Sequence, residues 1–251
     1  MRIIYEPRGR AAEYAPLAVS LYRGCSHGCT YCFAPDVIHA DREKFLQATP
    51  RKNAIPMLQA DAKELADNGD QREILMSFTT DPYQPVERQY KLTQTAIGIL
   101  INHGLNFTIL TKAGIPSLVD LERLKEVPGL FRYGTTLTLN REEERRVWEP
   151  AAAPTIDRCK ALRIMHEHGI RTWVSLEPLI DPEQSLFLIC ATAPYVDEYR
   201  LGTLNHVGEQ PTDECLVEYV NKAYTLLKMY GKKAIFKKDL QPYLKAAGVQ
   251  Q

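Results

Sequence analysis

Cys25, Cys29 and Cys32 are the residues of this sequence whose type and spacing can do chemistry. Thiolates are soft ligands suited to iron–sulfur clusters, zinc and Cu(I). Gly24 and Gly28, interleaved with them, let the backbone turn sharply and approach closely. A structural zinc site is closed by four ligands, and a four-iron cluster is usually held by four cysteines. Three cysteines at C-x3-C-x2-C leave one iron of a cluster open to a small molecule. The other reading of the same residues is a zinc site made of the three cysteines with His27 or a distant ligand. The remaining cysteines, Cys159, Cys190 and Cys215, are scattered singly in apolar, helical surroundings and read as small buried hydrophobes. A tight cluster among scattered thiols speaks for metal binding or catalysis in a reducing compartment, not for a disulfide framework.

Such a loop needs a scaffold, and the chain supplies a regular alternation. Short apolar runs cover Leu17–Tyr22, Glu73–Phe78, Asn106–Leu110, Phe131–Leu139, Arg171–Leu176 and Glu198–Leu204. Helical patterns lie between them at Asn53–Ala66, Lys91–Asn102, Ser117–Glu126, Thr155–His168, Ser185–Ala191 and Thr212–Tyr230. Thr155 is placed to cap its helix and Gly169 to stop it. Repeated β then α with short joints predicts a parallel sheet with right-handed crossovers, an α/β fold built as a partial (β/α)6 barrel in a single domain. Residues 1–16 form an extended lead-in, 17–231 the barrel core, and 232–251 a strand and helix packed on it. In such folds the site lies on the loops beyond the C-terminal strand ends. Those positions carry the cysteine loop, Thr79-Thr80-Asp81, Thr111-Lys112, Thr136, Thr138 and Asn140, Glu177, and Asn205-His206.

The cysteine loop resembles the radical S-adenosylmethionine (SAM) superfamily signature C-x3-C-x-aromatic-C, with Tyr31 in the aromatic slot. The resemblance implies a [4Fe-4S] cluster on Cys25, Cys29 and Cys32, with SAM chelated to the open iron and cleaved reductively to a 5′-deoxyadenosyl radical. A narrower resemblance, to the spore photoproduct lyase-like branch, rests on Tyr22 to Ala34, on Thr79-Thr80-Asp81-Pro82-Tyr83-Gln84-Pro85, on Leu110-Thr111-Lys112, and on Glu149-Pro150 followed by Pro154 and Arg158. By position it implies that Thr79, Thr80 and Asp81 hold the SAM amino group, although the wording departs from the Gly-Gly-Glu-like segment usual there. An Asx-type turn before Pro82 is the plainer reading. It implies Lys112 at the SAM carboxylate or ribose, as suits a flexible point charge, and Thr138 against SAM. Glu177, in Ser175-Leu176-Glu177-Pro178, is a candidate for ribose hydroxyls or substrate. Lyases of the branch donate hydrogen from a cysteine just before the Thr/Ser pair of the second strand. Phe78 stands there in this chain, which argues against strict spore photoproduct lyase activity.

Lysine plus arginine equals aspartate plus glutamate, 31 each, so no net field draws the molecule to nucleic acid or membrane. A local patch remains: Lys228, Lys232, Lys233, Lys237, Lys238 and Lys245 alternate with Tyr230, Phe236 and Tyr243, a pattern that can track phosphates and stack bases. Nucleic acid is therefore a candidate substrate, and a nucleic-acid lesion lyase is the rival enzyme reading; a non-enzymatic zinc-binding module is the rival outside catalysis. Arg141–Arg146 reads as a solvated helix face. No apolar run approaches a membrane span, so a cytoplasmic protein is expected, with a flavodoxin- or ferredoxin-type electron donor as partner.

Overall fold

The computed structural model describes residues 2–204 and 211–249. Its strands, in chain order, are β1 (Ile4–Tyr5), β2 (Leu17–Val19), β3 (Tyr22–Arg23), β4 (Thr49–Pro50), β5 (Ile74–Met76), β6 (Phe107–Thr111), β7 (Phe131–Thr136), β8 (Arg171–Leu179), β9 (Glu198–Thr203) and β10 (Lys233–Phe236). Eight of them form one sheet in the order β1-β2-β5-β6-β7-β8-β9-β10. All neighbours from β2 to β10 pair in parallel, and β1 closes the first edge antiparallel to β2. This is the expected α/β architecture. The six anticipated strands all lie in it, and the C-terminal extension contributes a seventh parallel strand.

Alternation along the strands divides two environments. Val19, Ile74, Met76, Phe107, Ile109, Tyr133, Val174, Leu176, Tyr199 and Leu201 belong to the large core under the helices. Ala18, Leu75 and Trp173 face the other way and form a smaller cluster with Ala15, lined by Tyr14, Phe78 and Leu110. Gly134 exists for this second face, because a Cβ there would fall 2.2 Å from the Trp173 ring. The helices covering the large core run over Ala54–Asp67, Leu92–Asn102, Thr155–Glu167, Pro182–Thr192 and Asp213–Met229.

Several local expectations are corrected. The first run splits, because its last residues pair as β3 with β4 in a separate two-stranded sheet that carries the cysteine loop. The expected helix Ser117–Glu126 is a 3-10 turn, Ile115–Asp120, followed by one α-turn, Leu121–Leu124. Thr155 is not a cap: its hydroxyl donates to the Leu139 carbonyl at 2.6 Å, and Pro154 holds the cap position. Gly169 does stop that helix, at φ +77° with its N–H on the His166 carbonyl. The lead-in is not simply extended, since Gly9–Glu13 is a 3-10 helix. Its start is anchored by Asp61, which accepts the N–H groups of Ile3 and Ile4 at 2.6 and 2.8 Å.

Candidate functional site

The cysteine loop follows β3 and is held at its backbone. Gly24 sits at φ +79°, and a Cβ there would lie 2.4 Å from the Phe45 carbonyl oxygen, so a larger residue cannot occupy the turn. The next residue, Cys25, donates its N–H to that carbonyl at 2.8 Å. The Gly24 carbonyl accepts from the Thr80 hydroxyl at 2.6 Å and from Gln84 Nε2 at 3.2 Å. Gln84 Oε1 in turn accepts the Ser26 N–H at 3.0 Å. On the far side, Thr30 N–H meets the Trp148 carbonyl at 2.9 Å and Ala151 N–H meets the His27 carbonyl at 3.0 Å.

The three thiols are free and partly exposed. Burial pushes Cys25 well up and Cys29 to about 11. Among the described residues no three His, Cys, Asp or Glu side chains gather as ligands of one metal ion. In a four-iron cluster each thiolate takes a different iron, and an all-thiolate loop suits that partner. His27, the nearby candidate for a fourth zinc ligand, is already engaged. Its Nδ1 lies 3.2 Å from the Ala151 carbonyl and its Nε2 lies 3.1 Å from Asp81 Oδ2.

Asp81 is the next layer. Its carboxylate accepts the Tyr83 N–H at 2.9 Å, the Thr111 hydroxyl at 2.8 Å and the Lys112 N–H at 2.7 Å. Burial pushes this carboxyl up, but the His27 ring and these donors outweigh it and hold it at about 2. Asp81 thus joins the cysteine loop to the β6 end. Thr79 Oγ1 lies 3.5 Å from Ser20 Oγ, and the Thr80 hydroxyl also accepts from Gln84 Nε2 at 2.7 Å. Just before them Ser77 adopts φ +71°, a left-handed conformation unusual for a residue with a Cβ.

A third layer, between the helices Glu142–Trp148 and Thr155–Glu167, received no role from sequence reasoning beyond its wording. Glu149 and Arg158 form an ion pair at 2.6 Å with no exposed side-chain surface. The Tyr31 hydroxyl donates to Glu149. Arg158 also donates to the carbonyls of Ala153, at 2.8 Å, and Thr136, at 3.0 Å. The Ala153 N–H meets the Lys112 carbonyl at 3.0 Å. Lys112 Nζ stands 5.5 Å from the centre of the Tyr31 ring. The signal that could have found this layer is a lone arginine on the apolar face of a helix. Two residues past the end of β7, Thr138 Oγ1 is buried without a hydrogen-bond partner among the described residues, a hydroxyl that fits a ligand atom.

Tyr31, Thr80, Asp81 and Lys112 therefore converge around the cysteine loop, with Thr79 beside Thr80 and the Asp81 carboxylate already taken up by protein donors, while Thr138 stands two residues past the end of β7. Glu177 belongs to a different cluster. It accepts from the Tyr14 hydroxyl, pairs with Lys237 Nζ at 2.7 Å, and occupies the space a Cβ at Gly202 would need. Lys237 is consequently buried, with its ammonium 3.3 Å from the Tyr14 ring centre, and is not part of a solvent-facing basic stretch. Arg145 likewise departs from the solvated face expected for Arg141–Arg146. It is buried and donates to the Glu149 and Ala152 carbonyls. Cys190 is exposed, against the expectation of a buried hydrophobe, while Cys159 and Cys215 are partly buried. Phe78 packs against Tyr14 and Phe33, with ring centres 5.6 and 5.7 Å apart. Asn205 and His206 lie outside the described residues. No helix among the described residues is long and apolar enough to cross a membrane.

The family described as the Radical SAM superfamily matches residues 19–186. An uncharacterized protein of Methanocaldococcus jannaschii is 24% identical over 226 residues, covering 89% of this chain and 83% of its own length. An uncharacterized protein of Mycobacterium tuberculosis is 37% identical over 100 residues, which is 38% of this chain and 28% of the relative. Among solved structures, Streptococcus suis SuiB bound to S-adenosylmethionine superposes with a TM-score of 0.64 at 13% identity over 87% of this chain. The chain spans 45% of SuiB, less than half of its length. Spore photoproduct lyase complexed with dinucleoside spore photoproduct superposes with a TM-score of 0.66 at 13% identity, over 92% of this chain and 78% of the lyase. These likenesses show the fold.

Proposed function

Because this chain belongs to the Radical SAM superfamily, whose cofactors are a [4Fe-4S] cluster and SAM, we propose that Cys25, Cys29 and Cys32 hold the cluster and that SAM lies between them and Lys112. When bound, the pair supplies reductive cleavage of SAM to a 5′-deoxyadenosyl radical that abstracts hydrogen from a substrate. The observation that carries the reading is the loop itself: three thiols on a backbone pinned by Phe45, Gln84 and Trp148, with the neighbouring histidine tied to Asp81.

The chain's own residues divide the work. Gly24, Thr80 and Gln84 fix the loop that presents the thiolates. Lys112 offers a cation to the SAM carboxylate, and the unpartnered Thr138 hydroxyl offers a hydrogen bond. The Thr79 and Thr80 segment supplies carbonyls to the SAM amino group, while Asp81 acts on the frame. Tyr31 lends a ring face beside Lys112. Glu177, held by Tyr14 and Lys237, shapes the substrate side. A one-electron carrier of the flavodoxin or ferredoxin type provides the electron, and a reducing cytoplasm suits thiols that must stay reduced.

Anoxic purification with iron and sulfide analysis tests the assignment. Iron and sulfide in near-equal amounts are expected, and Cys29→Ala should remove the brown absorbance and abolish SAM cleavage. One equivalent of zinc without sulfide would overturn it in favour of a metal-binding module.

A further inference from the structure

Resting on the reading of Lys112 and the cysteine loop as two walls of a SAM site, we infer that Glu149 is a positioning residue that locks Tyr31 and Lys112 into one unit.

Its surroundings are unusual for a carboxylate. Glu149 and Arg158 are wholly buried, and desolvating two charges offsets most of what their attraction returns. An apolar pair of similar volume can hold a core as well, so packing alone does not explain them. What the pair does hold is position. Arg158 is fixed by two carbonyls, those of Ala153 and Thr136, the second at the end of β7. Glu149 is thereby referenced to the sheet, and it passes that reference on in two directions.

Toward the cysteine loop it accepts the hydroxyl of Tyr31, which stands between Cys29 and Cys32 in the chain. Its backbone carbonyl accepts from Arg145, which fixes the main chain from which the carboxylate projects. Toward the β6 end it acts by charge. The Lys112 ammonium stands 5.5 Å from the centre of the Tyr31 ring that Glu149 holds, and against burial and the opposing push of Arg158 the Glu149 carboxylate raises its pKa. Burial likewise pushes the Glu149 carboxyl up, while Arg158 and Lys112 hold it at about 2. Without this carboxylate the Lys112 and Arg158 cations would lose the charge that balances both of them. Lys112 would then swing away from the loop. The Lys112 backbone is tied to the same bracket through Ala153 N–H, and Gly114 keeps that contact close: a Cβ on it would meet Ala153 Cβ at 3.0 Å.

The test is a double-mutant cycle read by anoxic SAM binding on reconstituted protein, with iron content, circular dichroism and the change in the cluster's electron paramagnetic resonance signal on adding SAM. Glu149→Gln should weaken SAM binding about tenfold at unchanged iron content. Combined with Lys112→Ala, it should add little to the loss from Lys112→Ala alone, since one lever acts through the other. Fully additive losses, or wild-type affinity in Glu149→Gln, would overturn the inference. Tyr31→Phe, which removes only the hydroxyl, serves if Glu149→Gln folds poorly; it should lose affinity in the same direction and be non-additive with Lys112→Ala. A second arm uses the metal-free protein. Amide hydrogen exchange should quicken in both 29–32 and 111–114 in Glu149→Gln, and in neither for Glu167→Gln, an exposed site on the following helix. Loosening of one segment without the other would refute the coupling. If wild-type protein bound no SAM, the proposed function would fall, and this exchange arm would still decide whether Glu149 joins the two segments.

Discussion

Charge is buried at both ends of the sheet, and the two ends use it differently. At the strand starts Arg132 bridges Glu73, at 2.5 Å, and Glu198, at 3.2 Å, while Arg200 and Lys233 reach Glu198 at 2.8 and 2.7 Å. Arg200 also lies 4.6 Å from the Trp173 ring centre, and that indole donates to the Thr108 hydroxyl at 2.8 Å. These ion pairs join side chains on strands or at their ends, and the charges end mainly on one another, with Arg200 also donating to the Tyr14 carbonyl. At the strand ends Asp81 and Arg158 spend their hydrogen bonds mainly on loop backbone, at Tyr83, Lys112, Ala153 and Thr136. The three free thiols lie there too, and among the described residues the Thr138 hydroxyl is one of the buried polar groups without a hydrogen-bond partner. Charge at the floor holds strands together, and charge at the mouth holds loops in place.

Glu198→Gln is the largest expected break in that contrast. It leaves Arg132 and Arg200 beside a neutral amide, and breaking a buried pair costs roughly 3 kcal/mol. The urea midpoint should fall accordingly, while the SAM affinity of the folded protein stays at the wild-type value. A loss of affinity parallel to the loss of stability would erase the distinction. The same carboxylate gives a pH test. Burial pushes Glu198 up, but Arg200, Lys233 and Arg132 hold it at about 2, below its ordinary 4.5. A depressed folded pKa adds stability that is full above the unfolded value and is lost as pH falls from about 4.5 toward 2. The slope of stability against pH in that window should flatten in Glu198→Gln.

Lys112→Ala sharpens the contrast from the mouth. Loss of a charge-assisted contact to the SAM carboxylate is worth about 1.5–3 kcal/mol, one to two decades of affinity. Iron content should not change. Unchanged SAM affinity would return Lys112 to a structural part in the Tyr31 and Glu149 cluster.

The sheet was legible in the sequence because every parallel strand is an apolar run between helical patterns, and β-branched residues such as Ile74, Ile109 and Val174 mark them. Cys25, Cys29 and Cys32 were legible because spacing within one loop is a local property. Partners across the chain were not. That Asp81 spends itself on His27, Thr111 and Lys112 depends on three strand ends meeting. That Lys237 pairs with Glu177, and so leaves the basic stretch, depends on β10 joining β9. Sequence periodicity also ran past the strand ends: β7 stops at Thr136, where the Arg158 guanidinium takes over its carbonyl.

The smallest expected effect concerns the substrate side, where mouth and floor meet at Phe78. Its ring packs between Phe33, next to Cys32, and Tyr14, whose hydroxyl goes to Glu177. On the proposed reading, a carbon radical formed on substrate here would meet an apolar ring. A phenyl ring has no weakly bound hydrogen to donate, so the radical must be quenched by hydrogen returned from 5′-deoxyadenosine, by an external donor, or by ending in an abstracted product. Cys159, Cys190 and Cys215 lie on the helices Thr155–Glu167, Pro182–Thr192 and Asp213–Met229, which cover the opposite face of the sheet from Phe78. Incubated with SAM, reductant and an oligonucleotide carrying spore photoproduct, the protein should cleave SAM and return little repaired thymine. Phe78→Cys places a thiol beside the same space; repair rising only in that variant would support the position of the missing donor. Multiple-turnover repair by the wild-type chain would show instead that another group supplies the hydrogen, and Tyr14 would be the first to replace by phenylalanine.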